Sequence, residues 1–485
     1  MSRIKKIASG GFYIFSGHAA GQVFNLIRNL AVARLVAPED FGIALTFALT
    51  IAILQMASDL GLNKLIIQSE KGDDPAFQDM AHAILVLRGF ILAAIIFLCG
   101  GVAARAFGAP DAEWAYRYLA IVPLIRGFDH LDINRIQRQL NFRSEINVTL
   151  ISQILATLAT IGFAFALRDY SAMLWGVIVQ AIAYTIGSHI AATRPYSLKW
   201  SLGFAKTAAG FSLPLMVNGL VLFASGQGDR MLIGTTLGLT ALAIYGAATM
   251  ITGSVSQIVI RVTGALALPL LAEVQSQSEK FKTRYELLGP VIGLIAVSLA
   301  IPLIFFGADI VTLVFGTAYT SPKGMFIVLA ATLPMWLLQF WPTMGSLARG
   351  DTLSVMFVNI VRSSGILLGA ITIYHGGNLL TVALSMAVGE IFGIITAIIR
   401  FNGKNERSIL KGIGSVGMSL GLILLAALTA YELHDLNWIL RVALSLIALA
   451  VSSTCFFLYS KQLRKAGLQV WQHSSQFFSE RYFKP

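Results

Sequence analysis

Apolar stretches of about 20 residues or more recur from one end of this 485-residue chain to the other. Each is long enough to cross the ~30 Å hydrocarbon core of a bilayer as a helix. The chain is 56% hydrophobic and only 12% charged, against about 25% charged residues in soluble domains. With so few charges it cannot cover a globular surface, and the mean hydropathy of +0.74 agrees. The expected fold class is an all-α integral membrane protein of about fourteen transmembrane helices, which excludes a soluble enzyme.

Spans are predicted at roughly 9–35, 41–62, 77–104, 114–134, 144–167, 171–193, 207–234, 239–268, 286–306, 324–347, 352–374, 378–399, 409–431 and 437–459. Turn residues separate them, among them Pro38, Pro75, Gly108, Pro195, Pro322, Gly350, Gly376 and Gly403. The basic start, Met1 to Lys6, leads into an apolar run that reaches about Val36 and contains Gln22, Asn25, Arg28 and Asn29. That run is too long and too polar for the core of a cleaved signal peptide, so it reads as the first span.

Orientation follows from the basic residues, because cytoplasmic loops carry the excess of Lys and Arg. With a cytoplasmic N-terminus, 24 of the 36 basic residues fall in cytoplasmic segments and 6 in external segments or helix ends. The remaining 6 lie within spans. One missed helix would invert every later loop and destroy the alternation, so the split supports span number and sidedness together. It also accounts for the net charge of +12 without nucleic acid as a partner. Both termini are expected in the cytoplasm, the protein being multi-pass in a bacterial inner membrane. The tail 461–485 mixes Trp471, Phe477, Phe478, Tyr482 and Phe483 with basic residues and is expected to lie at the membrane interface. Cys99 and Cys455 sit far apart in apolar segments, with no Cys/His spacing for a metal and no disulfide framework. No metal or other cofactor is expected.

The two central parts of the chain echo each other. LAIVPLIRG (119–127) resembles LAATLPMWL (329–337); Pro123 aligns with Pro334, and at the same offset of 211 Arg138 falls on Arg349. The expected organisation is an N-terminal lobe of spans 1–6 (1–200), a C-terminal lobe of spans 7–12 (201–403), two additional spans (404–460) and a cytoplasmic tail (461–485). Parallel repeats of this kind are a known transporter plan, with the site near mid-membrane between the halves.

The stretch 11–68, and most specifically ARLVAPEDFG (33–42) and SDLGL (58–62), resembles the opening of bacterial polysaccharide-transport proteins. These are oligosaccharide flippases of the multidrug/oligosaccharidyl-lipid/polysaccharide (MOP) superfamily, and the exopolysaccharide branch is the nearest in look. The resemblance weakens after the second span but stays compatible in length and helix number. It implies two lobes around a central cavity and a lipid-linked oligosaccharide moved from the cytoplasmic to the outer leaflet. The superfamily also contains lipid II flippases and drug antiporters, so membership alone does not fix the substrate.

Charged groups within a bilayer are costly and usually face a cavity or a partner. The intramembrane set is Arg28, Arg88, Arg126, Arg230, Arg261 and Arg362 against Asp59, Asp129, Asp229 and Glu390. Helical spacing puts His18, Gln22, Asn25 and Asn29 on one stripe with Arg28 at its edge. Ser254, Gln257 and Arg261 share a face, as do Asn218, Ser225 and Asp229, and Asn359 clusters with Arg362 and Ser363. Such stripes either line a water-filled cavity or bond neighbouring helices for modest gain. The candidate substrate-binding set is Arg28, Arg261, Arg230, Arg362, Gln22, Asn25, Asn29, Asn218 and Gln257, with Asp59, Asp229 and Glu390 as possible counter-ions. Arg126 and Asp129, three apart, are expected to neutralise each other, and Arg88 either pairs with Asp59 or snorkels to headgroups.

The chemistry fits a polyprenyl diphosphate, because planar guanidinium forks match phosphate oxygens, while amides and hydroxyls can serve the sugar chain. No catalytic residues are expected, since neither a Ser/His/Asp nor a paired-carboxylate constellation appears. The phosphate-loop pattern GxxxxGK[ST] is also missing, which excludes ATP as a direct fuel. The expected function is a flippase for exopolysaccharide, capsule or O-antigen synthesis, with membrane lipid and polysaccharide polymerase or export proteins as further partners. Two alternatives stand beside it. A cation-coupled multidrug antiporter would want intramembrane carboxylates in the first half, where the first span has an arginine and none. A membrane-embedded glycosyltransferase or polymerase would need a catalytic carboxylate or a large external loop, and the longest external stretch is roughly 306–323.

Overall fold

The computed structural model describes residues 3–138, 141–404, 410–433, 436–460 and Arg464. Among the described residues the secondary structure is helical, in eighteen α-helices and three short 3-10 turns, without a strand. The predicted tail, apart from Arg464, lies outside them. Among the described residues, ten helical segments are long and apolar enough to cross a membrane. The chain divides into two compact units, Met1–Ala247 with Val314–Tyr319, and Ala248–Leu313 with Thr320–Pro485. That division follows packing, and it falls later than residue 200, where the repeat reading divides the sequence.

Unit 1 starts with α1 (Arg3–Leu35) and α2 (Pro38–Ala57). Pro38 occupies the first turn of α2, where its missing N–H costs nothing, and Glu39 and Asp40 complement the positive end of the helix dipole. Gly42, which ends the ARLVAPEDFG element, permits close approach: a Cβ there would stand 2.2 Å from the carbonyl oxygen of Leu239. The SDLGL element forms the turn out of α2. The Ser58 hydroxyl donates back to Leu54 O at 2.6 Å, Asp59 Oδ1 accepts from Gly61 N at 2.9 Å, and Gly61 takes φ +60°, a region that favours glycine. The short α3 (Leu62–Gln68) follows. Then comes α4 (Pro75–Ala106), capped by Asp74, whose Oδ1 accepts from Ala76 N at 2.9 Å.

The fourth predicted span is not one helix. It is broken into α5 (Glu113–Tyr118), α6 (Ile121–Arg126) and α7 (Asp132–Gln137). Pro123 explains the first break: it has no N–H for Leu119 O, which accepts instead from Val122 N at 3.0 Å. The second break carries Gly127 against Gly89 of α4, where a Cβ on Gly89 would meet Pro123 O at 2.7 Å and Gly127 Cα at 2.9 Å. The antiparallel pair α8 (Arg143–Leu167) and α9 (Ser171–Ala191) follows, and then α10 (Leu202–Thr236). At the basic end of the unit the side chains tie the connections together. Arg138 donates to the carbonyls of Ile66, Ile67 and Ser69 and pairs with Asp73. Buried Asp132 accepts from Arg135 at 2.6 Å and from Thr193 N at 2.8 Å.

α11 (Leu239–Ala272) begins in unit 1 and continues into unit 2, where α12 (Ser278–Phe315) and α13 (Met325–Ala348) pack. Their contact holds a stack in which Tyr285 lies 4.4 Å from Trp341 and 4.5 Å from Phe401, measured between ring centroids. The eleventh predicted span is also divided, into α14 (Thr352–Arg362) and α15 (Ser364–Tyr374). Both pack on α16 (Leu379–Lys404), with Gly365 and Gly389 in contact. α17 (Leu410–Glu432) and α18 (Trp438–Tyr459) complete the unit.

Candidate functional site

The stripe on α1 meets amides from α8 and α9. Arg28 Nη2 donates to Asn25 Oδ1 at 2.9 Å, and Nη1 donates to Gln180 Oε1 at 3.2 Å. Asn29 donates to the same Asn25 oxygen at 3.0 Å, and Gln180 Nε2 donates to Gln153 Oε1 at 2.7 Å. Thr157 carries the network on, donating to Gln153 O at 2.8 Å and to Phe24 O at 3.4 Å. Spacing explains the α1 side, since residues three and four apart share a face. The contribution of Gln180 and Gln153 comes from packing of α9 and α8 and was missed, although both lie within predicted spans.

This network holds a cation without an anion. Amide oxygens orient their dipoles toward the guanidinium, but among the described residues no carboxylate pairs with it. Arg28 Nε is buried and makes no hydrogen bond among the described residues. A buried charge is usually paired, because leaving it unpaired is expensive. Neutral amides lower that cost while leaving the charge available to a bound anion.

The other predicted arginines differ. Arg362, on the end of α14, stands 3.7 Å from Glu390 of α16 and 5.2 Å from the Trp336 ring centroid, so Glu390 is the counter-ion within unit 2. Arg230 Nη1 donates to Gln227 Oε1 at 3.0 Å. Asp229 does not face the Arg230 head; its Oδ2 accepts from Tyr245 OH at 2.7 Å, because adjacent helical residues point different ways. Asp59 lies 4.0 Å from Lys64 of α3. Gln22 and Gln257 are half-buried on α1 and α11. The side chains of His18, Asn218 and Arg261 lie outside the described residues.

A polar concavity lies wholly in unit 1, a cavity of ≈ 340 Å³ among the α2–α3 turn, α4, the α6–α7 break and Tyr184 of α9. Arg88 enters from α4, donating to Ser58 Oγ at 3.1 Å from Nε and to Gln55 O at 3.1 Å from Nη2, which caps the negative end of α2. Arg126 donates from Nε to Asp129 Oδ2 at 3.1 Å and lies 4.5 Å from the Tyr184 ring centroid. The i, i+3 pair forms as the spacing predicts. The break at Gly127 turns the pair and the loop after it into a wall of this cavity.

Long apolar helices in a multi-pass chain define the class as an integral membrane protein, here with a guanidinium held among amides and, among the described residues, paired with no carboxylate. The chain belongs to the polysaccharide biosynthesis protein family, which it matches over residues 31–322. It is 23% identical over 251 residues to the succinoglycan biosynthesis transport protein ExoT of Rhizobium meliloti (strain 1021), covering 51% of this chain and 50% of that one. It is also 23% identical over 287 residues to the teichuronic acid biosynthesis protein TuaB of Bacillus subtilis (strain 168), covering 57% of each. The chain thus spans about half the length of the curated relatives it matches, 50% and 57%. Among solved structures it resembles lipid II flippase MurJ in an inward closed conformation, with TM-score 0.67, 13% identity and coverage of 92% of this chain and 98% of that one. A multidrug resistance MATE family transporter of the MOP superfamily, inward-facing, gives TM-score 0.62, 14% identity and coverage of 80% and 96%. These likenesses show a shared fold.

Proposed function

We propose that this protein is a flippase that moves a polyprenyl-diphosphate-linked oligosaccharide from the inner to the outer leaflet of a bacterial inner membrane, for exopolysaccharide, capsule or O-antigen synthesis. The single observation that carries the reading is the Arg28 site, a cation in an apolar bundle satisfied by amides and lacking a carboxylate among the described residues. A diphosphate is the matching ligand: its oxygens take the free N–H of the guanidinium while the polyprenyl tail stays in lipid. Membership of the polysaccharide biosynthesis family supports the same substrate class.

In this reading residues 1–200 and 201–403 are the working halves, 404–460 are added spans, and both termini are cytoplasmic. The chain catalyses no covalent step, and a polysaccharide polymerase or export protein takes up the product. The antiporter alternative is less well supported, because α1 carries Arg28 and no carboxylate along its membrane stretch. The test is flipping of a lipid-linked oligosaccharide in proteoliposomes containing the purified protein. Transfer above protein-free vesicles, lost in Arg28→Ala, is the expected result; indifference of the lipid to the protein would overturn the proposal.

A further inference from the structure

We infer that the cavity of unit 1 beside Arg88 and Arg126 is a saccharide-binding site, taking a sugar residue of the carried oligosaccharide, separately from the anion site at Arg28. The inference rests on the flippase reading and adds to it where the sugar is recognised.

The charge balance of the lining carries the argument. Two guanidinium groups, Arg88 and Arg126, face two carboxylates, Asp59 and Asp129, so the formal sum is zero. His130 also borders the cavity, but its ring is committed to backbone: Nδ1 accepts from Asp132 N at 3.2 Å and Nε2 donates to Arg194 O at 3.0 Å. That arrangement holds the imidazole neutral. A phosphate entering here would meet the negative charges of Asp59 and Asp129 beside the two arginines, and to bind Arg126 it would have to strip away Asp129. A vicinal diol needs no such exchange, since each hydroxyl accepts from an N–H and donates to a carboxylate without changing any charge.

The groups needed for this are present and only partly used. A guanidinium has five N–H donors. The hydrogen bonds of Arg88 use Nε and Nη2, and that of Arg126 uses Nε. Asp129 accepts one bond at each oxygen, from Thr185 at 2.6 Å and from Arg126, leaving a lone pair on both. Asn134 adds an amide to the wall, and the leucines of α2–α4 supply apolar surface for the C–H face of a ring. The volume of ≈ 340 Å³ falls at the small end of the ~300–1,000 Å³ typical of small-molecule sites. The walls are also fixed in place: the SDLGL turn holds Asp59, α2's last carbonyls hold Arg88, and glycine contact at Gly89 and Gly127 sets the gap between α4 and α6.

The test uses the full chain in nanodiscs, titrated with methyl glycosides of glucose, galactose, rhamnose and N-acetylglucosamine and read by saturation-transfer NMR. At least one glycoside should bind saturably, and inorganic pyrophosphate should not displace it. Asp59→Asn and Asn134→Ala should each weaken binding about tenfold, the scale of losing one hydrogen bond to a charged or well-placed polar group. A diazirine-bearing glycoside on the unaltered protein should label peptides within 55–63, 85–92 or 123–134, or the peptide holding Tyr184, a readout that does not depend on any variant folding. Absence of glycoside binding, labelling elsewhere, or displacement by pyrophosphate or phosphatidylethanolamine would overturn the inference. Flipping assayed in parallel separates the two proposals: transport without glycoside binding sinks only this one, whereas glycoside binding without transport overturns the flippase reading and, with it, the assignment of the bound sugar to a carried oligosaccharide.

Discussion

The Arg28 guanidinium on α1 reaches Gln180 on α9 with Nη1 to Oε1 at 3.2 Å, and Gln180 in turn donates to Gln153 on α8. Three helices thereby share one cation through neutral amides. A carboxylate compensates Arg362 of unit 2, Glu390 at 3.7 Å, whereas none pairs with Arg28 among the described residues. The difference predicts different mutational behaviour. Arg28→Ala should abolish flipping while protein abundance stays near normal, because removing the charge relieves desolvation as it removes function. Arg28→Lys should restore only part, since an ammonium cannot reproduce a planar two-point contact with phosphate. Proteoliposome flipping beside immunoblot quantities checks both, and full activity in either variant would exclude Arg28 from the site.

The close pass of α4 and α6 predicts opposite outcomes for two Gly→Ala changes. Alanine normally stabilises a helix interior by about 1 kcal/mol over glycine. At Gly162 of α8 a Cβ would meet nothing within 4 Å, so Gly162→Ala should hold or raise the thermal midpoint. At Gly89 the Cβ would meet backbone at 2.7 Å and 2.9 Å, and overpacking of that kind costs about 1–3 kcal/mol. Gly89→Ala should therefore lower the midpoint in detergent, by differential scanning fluorimetry.

His82 and His130 predict acid sensitivity. His82 Nε2 accepts from Leu131 N at 3.0 Å and its Nδ1 donates to Ser197 O at 3.3 Å; His130 is held in the same way, and the two rings lie 4.8 Å apart. Each neutral ring uses both nitrogens, so a second proton must break an amide hydrogen bond. The thermal midpoint should drop between pH 7 and 5, and the His82→Gln, His130→Gln double variant should start lower at pH 8 but show a flatter profile.

Sidedness is testable by reporter fusion. Fusions at Gly108 and Gly376 should read external, and fusions at Arg138 and Lys404 cytoplasmic. A reversed reading at any of the four sites would break the alternation on which the orientation rests.

Transport should require no ATP hydrolysis by this chain. Outward movement of an anionic headgroup is favoured by an inside-negative potential by about 2.3 kcal/mol per charge per 100 mV, less whatever the arginines neutralise if they move with it. Imposing that potential on proteoliposomes should speed flipping. Strict dependence on added ATP, or indifference to both potential and pH gradient, would point instead to an unseen partner or passive equilibration.

Helix class and the polar face of α1 were legible in the sequence, because both are local. A span needs only about 20 consecutive apolar residues, and Asn25, Arg28 and Asn29 share a face through the helical repeat alone. The turn chemistry of Pro38, Gly61 and Asp74 is local for the same reason. What crosses from helix to helix was not legible. Nothing near Gln153 or Gln180 in the chain marks them as partners of Arg28, and only the packing of α8 and α9 on α1 brings their amides to it. The aligned prolines make the point again: Pro123 breaks its span into α5 and α6, whereas Pro334 lies within the unbroken α13. Their aligned arginines also diverge, Arg138 binding the carbonyls that end α3 while Arg349 lies 4.2 Å from the Phe281 ring centroid. The sequence therefore determined the helical class and the polar face of α1, though not the breaks within the fourth and eleventh spans, since backbone hydrogen bonding and periodicity act over a few residues. Tertiary structure alone decided which charges were compensated and where a cavity opened, since Coulombic and packing energies depend on neighbours that the chain brings together from far apart.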